Sequence, residues 1–89
     1  MKTYKIVVRK KVARGLLRLP VGVKKKFFAL TMDLRDRGPI QNNWPNYSKI
    51  GRTRFHCHLS RSWVACWKWV KGEIEIEVYY VGSRENAPY

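Results

Sequence analysis

A single α+β domain is the fold class this chain predicts: an N-terminal strand and a two-helix hairpin packed on a mainly antiparallel four-stranded sheet, in the order β-α-α-β-β-β. Three observations lead there. At 89 residues the chain can build one two-layer core and no second core of useful size. Apolar residues recur at helical spacing as far as Arg37 and at period two from Arg54 onward. Between Gly38 and Arg52 lie Pro39, Asn42, Asn43, Pro45, Asn46 and Gly51, the composition of a loop. With no internal repeat, low-complexity tract or linker, residues 1–89 read as one domain.

Thr3-Tyr4-Lys5-Ile6-Val7-Val8 is short and β-branched, which predicts the first strand. Val12, Leu16, Leu17 and Leu19 follow at helical spacing until Pro20-Val21-Gly22 interrupts. Val23, Phe27, Leu30 and Leu34 then repeat the pattern until Arg37-Gly38-Pro39 stops it. In the second half, Ser60-Arg61-Ser62 predicts a three-residue hairpin loop and Lys71-Gly72 a two-residue turn. That turn sets Lys68 opposite Glu75, Trp67 opposite Ile76 and Cys66 opposite Glu77. Phe55, Cys57 and Leu59 then share a core face with Trp63, Ala65, Trp67, Trp69, Ile74, Ile76, Val78 and Tyr80. The other face carries Arg54, His56, His58, Cys66, Lys68, Glu77 and Tyr79, and is expected to lie open.

Charge narrows the function. Nineteen Lys and Arg against six Asp and Glu leave a formal charge of +13, which implies a polyanionic partner. Residues 1–32 contain ten basic side chains and no acid, and residues 37–72 are also acid-free. The acids gather at Glu73, Glu75 and Glu77. Such single-sign surfaces attract nucleic acid with a strength that falls as salt rises. No run approaches the ~18 apolar residues of a membrane span, and no signal-peptide core follows the basic N-terminus, so a cytoplasmic protein is expected. Two cysteines, Cys57 and Cys66, allow at most one bridge, and a reducing compartment keeps both as thiols.

Both histidines of the chain lie in Phe55-His56-Cys57-His58-Leu59. Residues i and i+2 of a strand point to one face, so two imidazoles stand side by side. Imidazole transfers protons near neutral pH better than any other side chain. The plainer reading of the pair is a solvated strand face. A third is a metal site, with Cys66 across the hairpin from His56, although no paired ligand spacing occurs elsewhere.

The order strand, helix, helix, loop and three antiparallel strands resembles the RelE/ParE toxin superfamily. In sequence the resemblance is carried by Trp44-Pro45-Asn46-Tyr47-Ser48-Lys49-Ile50-Gly51, Phe55-His56-Cys57-His58-Leu59, Trp63-Val64-Ala65-Cys66-Trp67 and Tyr79-Tyr80-Val81-Gly82-Ser83-Arg84-Glu85-Asn86-Ala87-Pro88-Tyr89. These segments are similar to a subgroup described as cytotoxic translational repressors of toxin-antitoxin systems. The resemblance implies a ribosome-dependent mRNA endonuclease of the A site, silenced by a cognate antitoxin protein. RelE-type members use basic side chains on the first hairpin strand, an arginine just after the last strand and a tyrosine near the C-terminus. His56 and His58 fall where well-known members carry lysines, Arg84 falls on the arginine, and Tyr89 falls near the tyrosine. A further arginine of the family has no counterpart, because Trp63-Val64-Ala65 stands there. The chain also ends at Tyr89, which is expected to set a carboxylate beside the site.

On this basis His56 and His58 are expected to share the base and acid roles of metal-free, cofactor-free RNA cleavage. Arg84 and Arg54 would stabilise the phosphorane, and Tyr89 would transfer a proton or stack on a base. Lys24, Lys25, Lys26, Lys49, Arg52, Arg61 and Lys68 are expected on RNA phosphates. Trp44 either stacks on RNA or pins its loop to the domain. Plainer readings are a salt bridge from Arg84 to Glu85 or Glu77, a frayed terminus at Tyr89 and a solvated helix face at Lys24, Lys25 and Lys26. Two other functions share the fold or the charge: a ParE-like inhibitor of DNA gyrase, and a non-catalytic RNA-binding module.

Overall fold

In the computed structural model, which describes residues 3–89, the β-branched run at the N-terminus forms β1 (Lys5–Val8). The first helical stretch is short: α1 (Lys10–Gly15) passes directly into a single 3-10 turn at Leu16–Arg18. Tighter winding changes which residues face inward. Val12 and Leu19 are buried, whereas Leu17, expected on the apolar face, is 84% exposed. The second helix, α2 (Val21–Arg37), begins directly after Pro20 and ends at Gly38, whose N–H reaches the Leu34 carbonyl at 2.9 Å. Val23, Phe27, Leu30 and Leu34 all lie buried, as their spacing requires.

The remaining strands are β2 (Ser48–Lys49), β3 (Arg54–Ser60), β4 (Trp63–Trp69) and β5 (Glu75–Ser83), and the sheet order is β1-β5-β4-β3-β2. β1 runs parallel to β5, with Ile6 beside Ile76 and Val8 beside Val78; every other pairing is antiparallel. The fifth strand, β2, lies inside the stretch expected to be loop. Its Ser48 pairs with His56 and its Lys49 with Phe55. The helices cover one face of the sheet, and the core forms between them from Phe27, Leu30 and Leu34 on α2 and from Phe55, Cys57, Trp67 and Ile76 on the strands.

The loop after α2 is tied down by polar contacts. Gln41, almost fully buried, donates from Nε2 to the carbonyls of Gly38 at 2.7 Å and Asp33 at 3.1 Å. The Trp44 indole N–H donates to Asp33 Oδ2 at 2.8 Å, and Arg37 pairs with the same oxygen at 3.0 Å. Inside the core, the Trp67 indole donates to the Pro39 carbonyl at 3.1 Å. A buried polar group costs free energy unless it is paired, so these bonds hold residues 38–44 in one place against the domain.

Both hairpins differ from the expected registers. Between β3 and β4 the turn is Arg61-Ser62 alone, with Ser60 opposite Trp63 and Leu59 as an extra residue between the pairs His58–Val64 and Ser60–Trp63. Between β4 and β5, Lys71 and Gly72 do occupy the centre of a turn, closed by the Glu73 N–H on the Val70 carbonyl at 3.0 Å, with Gly72 at φ 93°. The strands resume only at Glu75, however, because the Trp69 indole donates to the Glu73 carbonyl at 2.8 Å and widens the loop. Lys68 therefore faces Glu77 instead of Glu75, and Trp67 faces Val78 instead of Ile76. Ile74, expected in the core, is 64% exposed.

A second irregularity matters more for the site. Trp67 pairs with Val78 but Cys66 pairs with Tyr80, leaving Tyr79 as an extra residue. This bulge turns Tyr80 off the core face, where it was expected, and brings Val81 to the core in its place. Cys66 faces Tyr80, where Glu77 was expected.

Candidate active site

On the face away from the helices, β3 presents Arg54, His56 and His58, β4 presents Lys68, Cys66 and Val64, and β5 presents Glu77, Tyr79, Tyr80 and Gly82. The face expected to lie open is in fact partly roofed. After β5 the Arg84 N–H bonds the Ser62 carbonyl at 2.8 Å, and turns at Arg84–Ala87 and Ala87–Tyr89 fold the last residues back over the sheet. The Tyr89 ring comes to rest 4.4 Å from the His56 ring, tilted by 50°. Under it His56 is only 8% exposed, and Cys66 and Val64 are fully buried.

Each imidazole is oriented by the segment that precedes β3, His56 by Ser48 of β2 and His58 by Asn46 of the loop before it. Nδ1 of His56 lies 2.9 Å from the Ser48 hydroxyl, and Nδ1 of His58 lies 3.3 Å from the Asn46 side-chain nitrogen. With the Asn46 amide as donor, Nδ1 of His58 accepts and the Nε2 edge carries the proton. Asn46 reaches that position through a left-handed backbone, φ 53°, while the His58 N–H holds the Pro45 carbonyl at 2.8 Å. The two rings stand 5.8 Å apart, edge to face at 64°.

Burial under the tail holds His56 below the usual imidazole value; bonding to Ser48 opposes this and the neighbouring His58 adds to it. His56 is therefore neutral at neutral pH and can accept a proton. Burial also raises the Tyr89 phenol, with the Arg84 guanidinium as the opposing influence, so Tyr89 keeps its proton and acts as a hydrogen-bond donor.

Arg84 stands exposed beside Ser62, Trp63 and Ser83, and makes no ion pair among the described residues. Arg54 faces Lys68 one row along the sheet, and with Arg9, Thr53 and Tyr79 they line a hollow of 330 Å³. Beside His58 is a notch of 270 Å³ formed by Lys26, Arg37, Trp44 and Pro45 among others. The structure thus brings Lys26 and Trp44 to the histidine edge. Trp44 pins its loop through Asp33 and also forms one wall of the notch.

Other expected RNA contacts lie elsewhere. Lys24 and Lys25 sit on α2, the layer behind the sheet. Lys49 points to the core side, with Nζ 5.9 Å from the centre of the Phe55 ring, and Arg52 and Arg61 are exposed in the loop before β3 and the β3–β4 turn. The groups missed by sequence reasoning are Ser48, Asn46, Tyr79 and Tyr80. Nothing in local pattern marks the first two, since their roles arise from β2 pairing with β3. The adjacent Tyr79-Tyr80 in an alternating strand was the only available sign of a bulge.

Cys57 and Cys66 are free thiols on opposite faces of the sheet, each pushed up to about 12 by burial. Among the described residues no three His, Cys, Asp or Glu side chains converge as a metal site. No described helix is long and apolar enough to cross a membrane.

No family model matches the sequence, and no curated protein does. Solved structures do. A chain of the archaeal RelE-RelB complex from Pyrococcus horikoshii superposes with a TM-score of 0.76 at 16% identity, over 96% of this chain and 99% of that one. The isolated E. coli RelE toxin gives 0.72 at 13% identity, over 96% and 88%. The Mycobacterium tuberculosis toxin-antitoxin complex RelBE2 gives 0.56 at 14% identity, over 92% and 99%. Across nearly its whole length, then, this chain has the fold of the RelE toxins.

Proposed function

We propose that the protein is the toxin of a toxin-antitoxin pair, a cytoplasmic, ribosome-dependent endoribonuclease that cuts mRNA without a metal or cofactor. The observation that carries this reading is the gathering of His56, His58 and Tyr89 near Arg84 on the helix-free, tail-covered sheet face of a protein with a charge of +13.

Cleavage begins when a base removes the proton of a ribose 2′-hydroxyl, whose oxygen attacks the adjacent phosphorus. His56, kept neutral by burial, suits that role. His58, entering the step as the imidazolium, gives its Nε2 proton to the departing 5′-oxygen and is left as neutral imidazole, and Arg84 with Arg54 stabilises the charge on the phosphorane. Tyr89 donates a hydrogen bond to the same group or stacks on a base. The products are a 2′,3′-cyclic or 3′-phosphate and a 5′-hydroxyl. Because the tail covers His56, the Tyr89 ring swings aside as RNA enters.

The antitoxin fits the outer face of α2. Val21, Phe28 and Met32 stand exposed there at helical spacing with Lys25 and Arg35, a surface suited to an acidic, amphipathic segment that folds on binding. Two of the structures sharing this fold are toxin-antitoxin complexes, which supports such a partner.

Primer extension on a defined mRNA in a purified translation system tests the reading. Cuts that need both ribosomes and the histidines are expected, with His56→Ala or His58→Ala lowering the rate by about 10²–10⁴-fold. Intact mRNA with the wild-type protein would rule out the nuclease and direct attention to gyrase supercoiling and to plain RNA binding.

A further inference from the structure

Past the histidines, the sheet face continues into a second hollow. The bulge in β5 leaves both Tyr79 and Tyr80 on this side, and where β5 runs past the end of β1 they line a cavity of 380 Å³ with Val81, with Arg9, Lys11 and Val12 at the start of α1, and with the tail residue Pro88. That volume lies within the ~300–1,000 Å³ typical of small-ligand sites. Its chemistry is uneven: two aromatic rings, a proline and two valines form the lining, and two cations supply the charge.

The hydroxyls of both tyrosines are turned away from this space. Tyr80 donates to the Ser83 carbonyl at 2.7 Å, and the Tyr79 hydroxyl is buried beside the Cys66 thiol. What the tyrosines offer an occupant is ring surface. Arg9 lies 5.6 Å from the centre of the Tyr79 ring and holds Glu77 at 2.9 Å, in an ion pair exposed enough to be exchanged cheaply for a phosphate.

We propose that this cavity is a stacking subsite for one unpaired nucleotide of an RNA strand, with its base against Tyr79, Tyr80 and Pro88 and its phosphate on Arg9 and Lys11. Rings without available hydroxyls hold any base by its π-face, so the subsite positions the strand with little choice of base. Tyr80 pairs with Cys66, which pairs with His56, so the subsite lies about 10 Å, two interstrand spacings, from the histidines. Pro88 links the two places, since the next residue, Tyr89, rests on His56. A nucleotide held here would flank the scissile phosphate; that last step rests on the nuclease reading, whereas the binding itself does not.

The test uses the full chain and a short unstructured RNA carrying the fluorescent base 2-aminopurine at one position, moved through the sequence, at low salt. Wild-type protein should quench the probe by stacking. Tyr79→Leu and Tyr80→Leu, which keep apolar bulk, should abolish the quench and weaken binding on the order of 10-fold, within the range for losing one base–aromatic contact. Arg9→Gln, at an exposed residue that does not threaten folding, should reduce the salt dependence of binding by about one phosphate contact. Thermal melts confirm that each variant is folded.

No quench with wild-type protein, or an unchanged quench in folded Tyr79→Leu, would overturn the subsite. So would a variant that binds RNA normally and loses affinity only for a protein partner. Cleavage is followed in parallel in the translation system. Quenching without cleavage keeps the subsite and removes the nuclease, and cleavage without quenching does the reverse.

Discussion

Replacing Gly82 by alanine tests the packing that fixes the end of β5 and, through it, the start of the tail. Gly82 follows Tyr80 by two residues on the same face, so the tyrosine lies across it. An added Cβ would stand 2.7 Å from the Tyr80 hydroxyl and 2.9 Å from Cζ. Comfortable contact begins at about 3.5 Å, so the ring must move by most of an ångström. Moving it breaks the bond from the hydroxyl to the Ser83 carbonyl. Overpacking of this kind costs about 1–3 kcal/mol, and alanine returns roughly 0.5–1 kcal/mol because glycine loses more chain entropy on folding. The expected net loss is about 1–2 kcal/mol, a fall in melting temperature of about 5–15 °C for a domain of this size. In a Tyr80→Ala background the obstacle is gone, and the same substitution should become neutral or stabilising. The cycle is measured by thermal and urea unfolding followed by circular dichroism. Gly82→Ala melting within a degree or two of wild type, or an equal cost in both backgrounds, would show that the Tyr80 ring does not hold this place.

Titration of His56 gives a pH signature. Its folded value is lowered from the ordinary 6.5, so between those two values the unfolded chain binds the extra proton. Stability should rise with pH through that window and fall as pH drops below about 6.5; equilibrium unfolding of wild type and His56→Gln checks this, the variant losing that component. Cleavage that uses His56 as base should likewise persist to a lower pH than an ordinary imidazole permits. With both thiols pushed up from 9.0 to about 12, the native protein should react with iodoacetamide about 10³-fold more slowly at pH 8 than it does when unfolded; comparable rates would contradict the burial of Cys57 and Cys66. Lys26→Gln, beside His58, should lower single-turnover cleavage, whereas Lys24→Gln and Lys25→Gln should change only the salt dependence of binding.

Elements with an uninterrupted period were legible in the residues. Val23, Phe27, Leu30 and Leu34 define α2 because four side chains at helical spacing leave a single way to bury them, and all four are buried. Phe55, Cys57, Leu59, Ala65 and Trp67 reach the core for the same reason at period two. Leu17 did not follow, because a 3-10 turn cannot be told from the end of an α-helix by hydropathy alone. β2 was hidden for a different reason: two residues carry no period, and Ser48-Lys49 becomes a strand only through the free edge that β3 offers it.

The site depends on departures from period that the sequence signals faintly or not at all. A face assignment for β3 places two histidines together, yet it leaves open what meets them from across the sheet. In a regular β5, Tyr80 would lie in the core and a single tyrosine would remain on the outer face. With one extra residue, both rings and the following Gly82 come to that face, and the tail that leaves from Ser83 is launched back over Cys66 and His56. The burial that keeps His56 neutral is therefore a consequence of the bulge as much as of the histidine's own strand. Gly82→Ala should consequently reach the chemistry as well as the stability: a displaced Tyr80 disturbs the exit of the tail, uncovers His56 and moves its titration back toward 6.5. Following the two imidazoles by NMR in Gly82→Ala and wild type would measure that link, and an unshifted His56 in the variant would separate the tail from the bulge.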